Sequence, residues 1–278
     1  MNVTKEYDEK TTTKEALEDL KRCQHNVHKV GRANRVEFDP KKEEFAVLHH
    51  REGEGPDFRL LGPMFDPKLL MHKAVQKVLG KARPKVQALL QTRRFYSTGD
   101  MVRQFKTHIL CILESCTAAI YHAADSILEP LDHVLETFVQ EVGLTMEQAF
   151  LDYNLGPLNW RRDVAMLGLL HKCTLGLAHP RLRELFPPVT RQPAVYSTRY
   201  AEGRNTKQIL ERCTGDFLEV TRRSVFGLVR VYNFLPETVV AKTSLQAFQA
   251  ELTEETRKRC RRGGDWALLY SPRQVRQG

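Results

Sequence analysis

The chain has 278 residues and a mass of 32.1 kDa, with 43 Lys and Arg against 34 Asp and Glu, a formal net charge of +9 and a pI of about 9.3. Its apolar content of 41%, with 13 Phe and 8 Tyr, excludes wholesale disorder. The 16 Gly and 13 Pro follow no repeating period, which excludes a fibrous chain. At roughly 150 residues per domain, the length indicates one large domain or two modest ones.

The first 66 residues have the pattern of one helix followed by short strands. Apolar residues at helical spacing predict a helix over residues 13–30, with Thr12 or Thr13 as its cap and Gly31 as its end. Turn-forming Gly and Pro residues separate the apolar runs that follow. These runs predict three short strands, at residues 35–38, 45–48 and 58–62.

The excess of positive charge is confined to residues 68–106. This window holds ten Lys and Arg against the single acid Asp100, a balance of +9, whereas the residues before and after it carry −2 and +2. Such a focused field attracts phosphate, either of nucleic acid or of an anionic membrane surface, although a solvated lysine-rich helix face is the plain alternative. A helix is predicted from Leu69 to Arg94, bent or split near Gly80 and Pro84, with Leu70 facing inward.

The rest of the chain is predicted to be almost entirely helical. Apolar residues from Val102 to Ile127 step by three and four and predict one buried helix face, with Asp100 as its cap and Pro130 at the start of the next helix. Further predicted segments are a capping box at Thr145, helices over residues 160–175, 181–186, 209–220, 224–235 and 244–262, and a loose tail after Gly264.

These patterns predict an α+β fold that is predominantly α. A small antiparallel β unit with one helix is expected at the N-terminus, followed by a bundle of several helices and a helical C-terminal region. The predicted domains are residues 1–66, 67–187 and 207–278, with a linker over residues 188–206, which show no periodicity.

Motifs that would carry catalysis are missing from the sequence. It contains no phosphate-binding glycine loop and no nucleophile elbow, and its six cysteines show no Cys-x-x-Cys spacing. Neighbouring histidines and acids are interpreted as surface residues, so no metal site is predicted. The cysteine usage and the lack of an apolar leader predict an intracellular protein, nuclear or cytoplasmic, that does not enter a membrane.

Several motifs, in their order and spacing, resemble the reverse transcriptases of non-LTR retrotransposons. Residues 20–29 are similar to the helix after the family's catalytic Asp-Asp turn, and residues 34–43 to its next strand and turn, where Asp39 replaces the usual Asn. Phe-Arg-Leu-Leu-Gly at residues 58–62 resembles the primer-grip hairpin. Residues 154–171 and 232–248 resemble the post-thumb and C-terminal segments, so the resemblance covers nearly the whole chain.

The resemblance implies part of a palm at residues 1–66 and a thumb at residues 67–187. Lys42 would stand where the family has a proton donor for the leaving pyrophosphate, and Leu60, Leu61 and Gly62 would lie under the primer end. A group of cations would hold the phosphates of a template–primer duplex of RNA and DNA without reading its sequence. These cations are Lys68, Lys73, Lys77, Lys81, Lys85, Arg93 and Arg94.

The resemblance also implies that catalysis is incomplete in this chain. In the family, two metal-binding aspartates stand just before the point where this sequence starts, and polymerisation needs them to hold two Mg²⁺ ions. None of Asp8, Asp19 or Asp39 has the family's strand-turn-strand setting. We therefore expect a truncated or decayed reverse transcriptase that binds nucleic acid, holds no cofactor and does not polymerise without the missing palm and fingers.

Two alternatives belong to other functional classes. A helical interaction or scaffold protein with no nucleic-acid role would dock a partner on the apolar stripe of residues 102–127. A membrane-surface protein would use the basic window, but that window lacks Trp and does not gather its lysines on one narrow face.

Overall fold

A computed structural model describes residues 5–7, 11–39, 43–49, 51–189, 205–211 and 218–273. These residues are predominantly helical with a small antiparallel sheet, which confirms the predicted fold class. The chain forms two compact units, Met1–Ala74 and Val75–Gly278. The helices in the described residues are α1 (Thr13–Ala33), α2 (His72–Gln91), α3 (Thr98–Phe105), α4 (Cys111–Glu114), α5 (Thr117–Ile120), α6 (Asp125–Glu141), α7 (Met146–Tyr153), α8 (Leu158–Thr174), α9 (Pro180–Leu185), α10 (Leu218–Arg223), α11 (Val225–Asn233), α12 (Glu237–Val240) and α13 (Leu245–Arg261).

Helix α1 begins as the sequence predicts but continues past Gly31. Thr12 and Glu15 form a capping box at its start. At its end, Arg35 has a positive φ of 58°, and the Val36 N–H donates to the Gly31 carbonyl at 2.8 Å. This is the arrangement of a Schellman motif. The predicted strand at residues 35–38 is therefore wrong, because the backbone of Arg35 and Val36, where the strand would begin, forms the end of α1.

The sheet of the first unit is a single short hairpin. Strand β1 (Phe58–Arg59) pairs antiparallel with β2 (Met64–Phe65), and the Phe58 and Phe65 rings stack across it at 5.8 Å. Of the strand predicted over residues 45–48, only an isolated bridge from Val47 to Glu54 forms. Two of the three predicted strands are thus wrong, β2 was not predicted, and the hairpin turn occupies part of the third predicted strand.

Helix α2 runs without a break through the two residues that predicted a split. The Gly80 carbonyl has no helical hydrogen-bond donor, because Pro84, four residues later, has no backbone N–H. Gly80 and Pro84 are both exposed, so water can donate to this carbonyl instead. Leu70 precedes the helix and is 47% exposed, so its predicted inward position is wrong.

Most of the apolar stripe of residues 102–127 is buried, but the stripe does not lie on one helix. A π-helical turn (Lys106–Leu110) follows α3, and Ser115 and Cys116 interrupt the path between α4 and α5. The Ser115 hydroxyl donates to the Ile112 carbonyl at 2.8 Å, a bond that competes with helical hydrogen bonding.

Both predicted helix starts in this region are also wrong. Ser97, not Asp100, is the N-cap of α3: its hydroxyl oxygen accepts from the Asp100 N–H, and the hydroxyl donates to the Asp100 carboxylate at 2.7 Å. Pro130 lies inside α6, which begins at Asp125.

Helix α8 forms the centre of the second unit. It packs against α6, α9, α11 and α13, and its buried apolar residues include Trp160, Leu167 and Leu170. The Trp160 indole N–H donates to the Thr256 hydroxyl of α13 at 3.1 Å inside this core. The predicted helix over residues 160–175 is confirmed, and Gly176 follows it with the positive φ that ends helices.

The segment after α13 is packed, in contrast to the loose tail that the sequence predicts. The Trp266 ring, 5% exposed, stacks on Phe150 at 4.8 Å, and the buried Tyr270 hydroxyl donates to the Leu252 carbonyl at 3.0 Å. Arg273 donates to the Tyr121 carbonyl at 2.7 Å and pairs with Asp125. Residues 274–278 lie outside the described residues, as do residues 190–204 of the predicted linker.

Burial of α8 places a carboxyl group in the core. Asp163 is 5% exposed and accepts a hydrogen bond from the Tyr121 hydroxyl at 2.5 Å. The neighbouring Arg162 forms an ion pair with Asp132 at 2.8 Å, so its charge is engaged by an acid other than Asp163. Burial raises the pKa of Asp163 from 3.8 to about 7, which favours the neutral carboxyl group below neutral pH.

The packing of Trp266 can be tested by truncation. We expect Trp266→Ala to lower the free energy of unfolding by about 3 kcal/mol or more, because it leaves a cavity beside Phe150. Leu269→Ala, in the same segment but 39% exposed, should cost less than about 1 kcal/mol. Urea unfolding compares the two variants, and equal losses would contradict the packed segment.

The protonation of Asp163 predicts a dependence of stability on pH. Its folded pKa is about 7, above the ordinary value of 3.8, so its stabilising contribution is complete below about pH 4 and is lost as the pH rises to about 7. Asp163→Asn keeps an acceptor for Tyr121 but cannot ionise. The unfolding free energy of this variant relative to the wild type should therefore increase with pH by up to about 1.4 kcal/mol per unit over that range. Urea unfolding at several pH values measures it, and a constant difference would show that Asp163 is ionised throughout.

Candidate nucleic-acid interface

Helix α2 presents a row of lysines on its exposed side. Lys77, Lys81 and Lys85 are all exposed and follow one another at intervals of four residues. Four residues along an α-helix advance about 6 Å and turn only about 40° beyond a full circle, so the row spans about 12 Å on one side. The other side of the helix carries buried apolar residues, which are Val75, Val78, Leu79, Ala82 and Val86.

The three lysines have no ionic partner among the described residues, and Lys68, Arg83 and Arg94 share this property within the window. None of them forms a salt bridge with a carboxylate of the described residues, whereas Lys73 pairs with Asp57, Arg93 with Glu141 at 2.5 Å and Arg103 with Asp100 at 3.5 Å. Lys106 is half-buried and donates to the Tyr153 carbonyl at 2.9 Å, and burial lowers its pKa. The lysine row therefore holds three of the window's six exposed cations that lack a carboxylate partner in the described residues, and it alone is aligned along one helix at intervals of four residues.

Small side chains lie beside this row. Gly80, Pro84 and Ala88 are exposed and each follows a lysine by three residues, so they form a neighbouring strip on the helix. A Cβ atom on Gly80 would meet no other atom within 4 Å. A large ligand held by the lysines can therefore approach the helix backbone closely.

Two exposed aromatic residues follow α2, and the sequence reasoning did not select them. Phe95 is 70% exposed and Tyr96 is 48% exposed, in and after a 3-10 turn (Arg93–Phe95). The guanidinium of Arg94 lies over the Phe95 ring at 4.7 Å. The run Arg-Arg-Phe-Tyr beside a basic helix was the available signal, because cations interleaved with aromatic rings suit nucleic-acid binding.

The residues predicted to contact a primer form the tip of the first unit's hairpin. The Leu60 N–H donates to the Pro63 carbonyl at 3.1 Å, which leaves Leu61 and Gly62 as the central residues of the turn. Both have positive φ, as a type I′ hairpin turn requires, and Leu61 is 96% exposed. Lys68 is exposed in the same unit, and Lys42 lies outside the described residues.

Asp19, one of the acids considered as a catalytic aspartate in the sequence analysis, forms ion pairs with two cations. It pairs with Lys5 and Arg22 and accepts from the Tyr7 hydroxyl at 3.1 Å, and the bond from Lys5 contributes most to lowering its pKa to about 2.

Across the described ranges, no group of three or more His, Cys, Asp or Glu side chains is arranged to hold a metal ion. Among the described helices, none combines the length and apolar composition needed to cross a bilayer.

Comparison with family models, with curated proteins and with solved structures finds no match to this chain. The assignment of the interface therefore depends on the geometry and charge described above.

Proposed function

We propose that this chain binds the phosphate backbone of a nucleic-acid duplex through the lysine row of α2. The observation that carries the proposal is that Lys77, Lys81 and Lys85 are exposed, aligned and without a carboxylate partner in the described residues. Most other cations of the basic window have a partner within the protein. Aligned free lysines suit a ligand with regularly spaced negative charges, and such contacts position a duplex without reading its sequence.

The motif resemblance gives this surface a biological setting. We propose that the chain is a C-terminal part of a reverse transcriptase of the non-LTR type, with residues 67–187 as its thumb. An RNA–DNA hybrid is then the expected ligand, the missing palm and fingers are the expected protein partner, and an intracellular location follows. In this proposal Lys73, within the first unit, would exchange Asp57 for a phosphate. An exposed ion pair of this kind contributes only about 0–1 kcal/mol, so the exchange is inexpensive.

The scaffold alternative has less support from the side-chain positions. Its docking surface was the apolar stripe of residues 102–127, but Val102, Phe105, Ile109 and Ile120 are each at most 2% exposed. Ile112, Cys116 and Ile127 of the stripe are only partly exposed, so it offers little apolar surface to a partner.

The lysine row can be tested by removing its charge. We expect Lys77→Gln, Lys81→Gln and Lys85→Gln together to weaken binding to a short RNA–DNA hybrid and to reduce the slope of log affinity against log salt by about two to three, because each phosphate contact releases counterions. Fluorescence anisotropy over a series of salt concentrations measures both quantities. The matched control is Lys14→Gln, Lys21→Gln and Lys29→Gln, which removes the same charge from exposed positions of α1.

Three outcomes would contradict the proposal. One is a wild-type affinity for the hybrid that does not depend on salt, and another is an equal loss in the α2 and α1 variants. The third is binding to phosphatidylserine vesicles, with the same dependence on the α2 lysines, by a protein that does not bind the hybrid. That result would assign the row to a membrane surface.

A further inference from the structure

Phe95 and Tyr96 expose more aromatic surface than the fold requires. At 70% and 48% exposure, the two consecutive rings keep a large apolar area in water. Burying an aromatic side chain is among the larger single contributions to protein stability, and adjacent residues such as Met101 and Val102 are almost fully buried. The two exposed rings are thus available to a ligand.

The backbone under these rings is held in place from both sides. The Phe95 N–H donates to the Thr92 carbonyl at 2.9 Å, and the Thr92 hydroxyl donates to the Leu89 carbonyl of α2 at 2.6 Å. On the other side, Ser97 caps α3 directly after Tyr96. The rings therefore project from a short turn between two helices, and little conformational freedom is lost when a ligand stacks on them.

The charge around the rings selects the ligand. Arg94 lies over the Phe95 ring at 4.7 Å, while Arg93 is held by Glu141. A cation over one face of the ring leaves the other face for a flat, electron-rich group, and the Arg94 guanidinium favours a ligand that carries phosphate. Nucleobases have such faces, and aromatic side chains stack on them with little sequence preference.

Bases inside a duplex are already stacked on their neighbours. Only an unpaired base, at a strand end or in a single-stranded extension, can offer its face to Phe95 or Tyr96 without disrupting base pairs.

We propose that Phe95 and Tyr96, with Arg94 stacked on Phe95, form a platform for an unpaired nucleobase, so that the protein binds a junction between duplex and single strand. This inference rests on the proposed function, in which the lysine row of α2 holds the duplex part. The platform adds a preference for the structure of the nucleic acid, because a blunt duplex has no base to offer.

The test compares a blunt RNA–DNA hybrid with the same hybrid carrying a short single-stranded extension. We expect the wild type to bind the extended hybrid about five- to one-hundred-fold more tightly, the range that stacking of one base on an aromatic side chain provides. The double variant Phe95→Ala and Tyr96→Ala should lose this preference and keep its affinity for the blunt hybrid. Tyr96→Phe retains the ring and should keep the preference. Leu177→Ala, which removes a side chain 66% exposed away from the window, is the control for a general loss of apolar surface.

The two proposals fail in different ways. The α2 lysine variant should weaken binding to both hybrids equally and preserve the ratio of the two affinities. If that variant binds both hybrids as tightly as the wild type, the result counts against the duplex site alone. Equal wild-type affinities for the two hybrids would overturn the platform and leave the duplex site standing. So would an unchanged ratio in the Phe95 and Tyr96 double variant, or a ratio that Leu177→Ala also abolishes. A fluorescent 2-aminopurine as the first unpaired base gives a second readout: its emission should be quenched by the wild type and by Tyr96→Phe, but not by the double alanine variant.

Discussion

Helix α8 can be buried on several sides only if its polar side chains find partners inside the protein. A buried polar group without a hydrogen bond costs about 1–3 kcal/mol, and an unpaired buried charge costs more. Arg162 is engaged by Asp132 of α6, and Asp163 by the Tyr121 hydroxyl. His171 lies between the Tyr232 hydroxyl and the Lys242 carbonyl, each at 2.9 Å, and its ring stacks on Phe248. These bonds fix how α6, α11 and α13 meet α8, and the second unit depends on them.

In the same unit, the exposed lysines of α2 lack carboxylate partners among the described residues. Around α8, charges are paired across elements: Arg161 reaches Glu114 at 2.5 Å, and Lys242 reaches Glu251 at 2.9 Å. On α2, an apolar face is buried, yet the exposed side carries Lys77, Lys81 and Lys85 without a described carboxylate partner. An aligned row of exposed lysines without a described carboxylate partner is a surface suited to an external polyanion.

Sequence reasoning succeeded where a feature depends on neighbouring residues. The caps at Thr12 and Thr145 and the length of α8 follow from local hydrogen bonding and periodicity. It failed where distant contacts decide. The segment after Gly264 contains little periodicity, but Trp266 packs on Phe150, more than one hundred positions earlier, and this contact has no local signal. At residues 35–38, the local alternation favoured a strand, but the end of α1 needed the same backbone.

At the interface, the sequence located the charge but could not show which cations are free. Pairing of Lys73 with Asp57 and of Arg93 with Glu141 brings together residues that are 16 and 48 positions apart. Only the folded arrangement separates these cations from the lysine row. Exposure of Phe95 and Tyr96 is likewise a property of tertiary packing, since aromatic residues beside a helix are more often buried.

Chemical footprinting of lysines tests the central claim most directly. The protein is acetylated with and without a saturating RNA–DNA hybrid, and the modification of each lysine is measured by mass spectrometry. The account predicts that the hybrid protects Lys77, Lys81 and Lys85 and leaves Lys14, Lys21 and Lys29 of α1, which are also exposed, unprotected. Protection of the α1 lysines to the same extent, or none on α2 while the hybrid is bound, would contradict it.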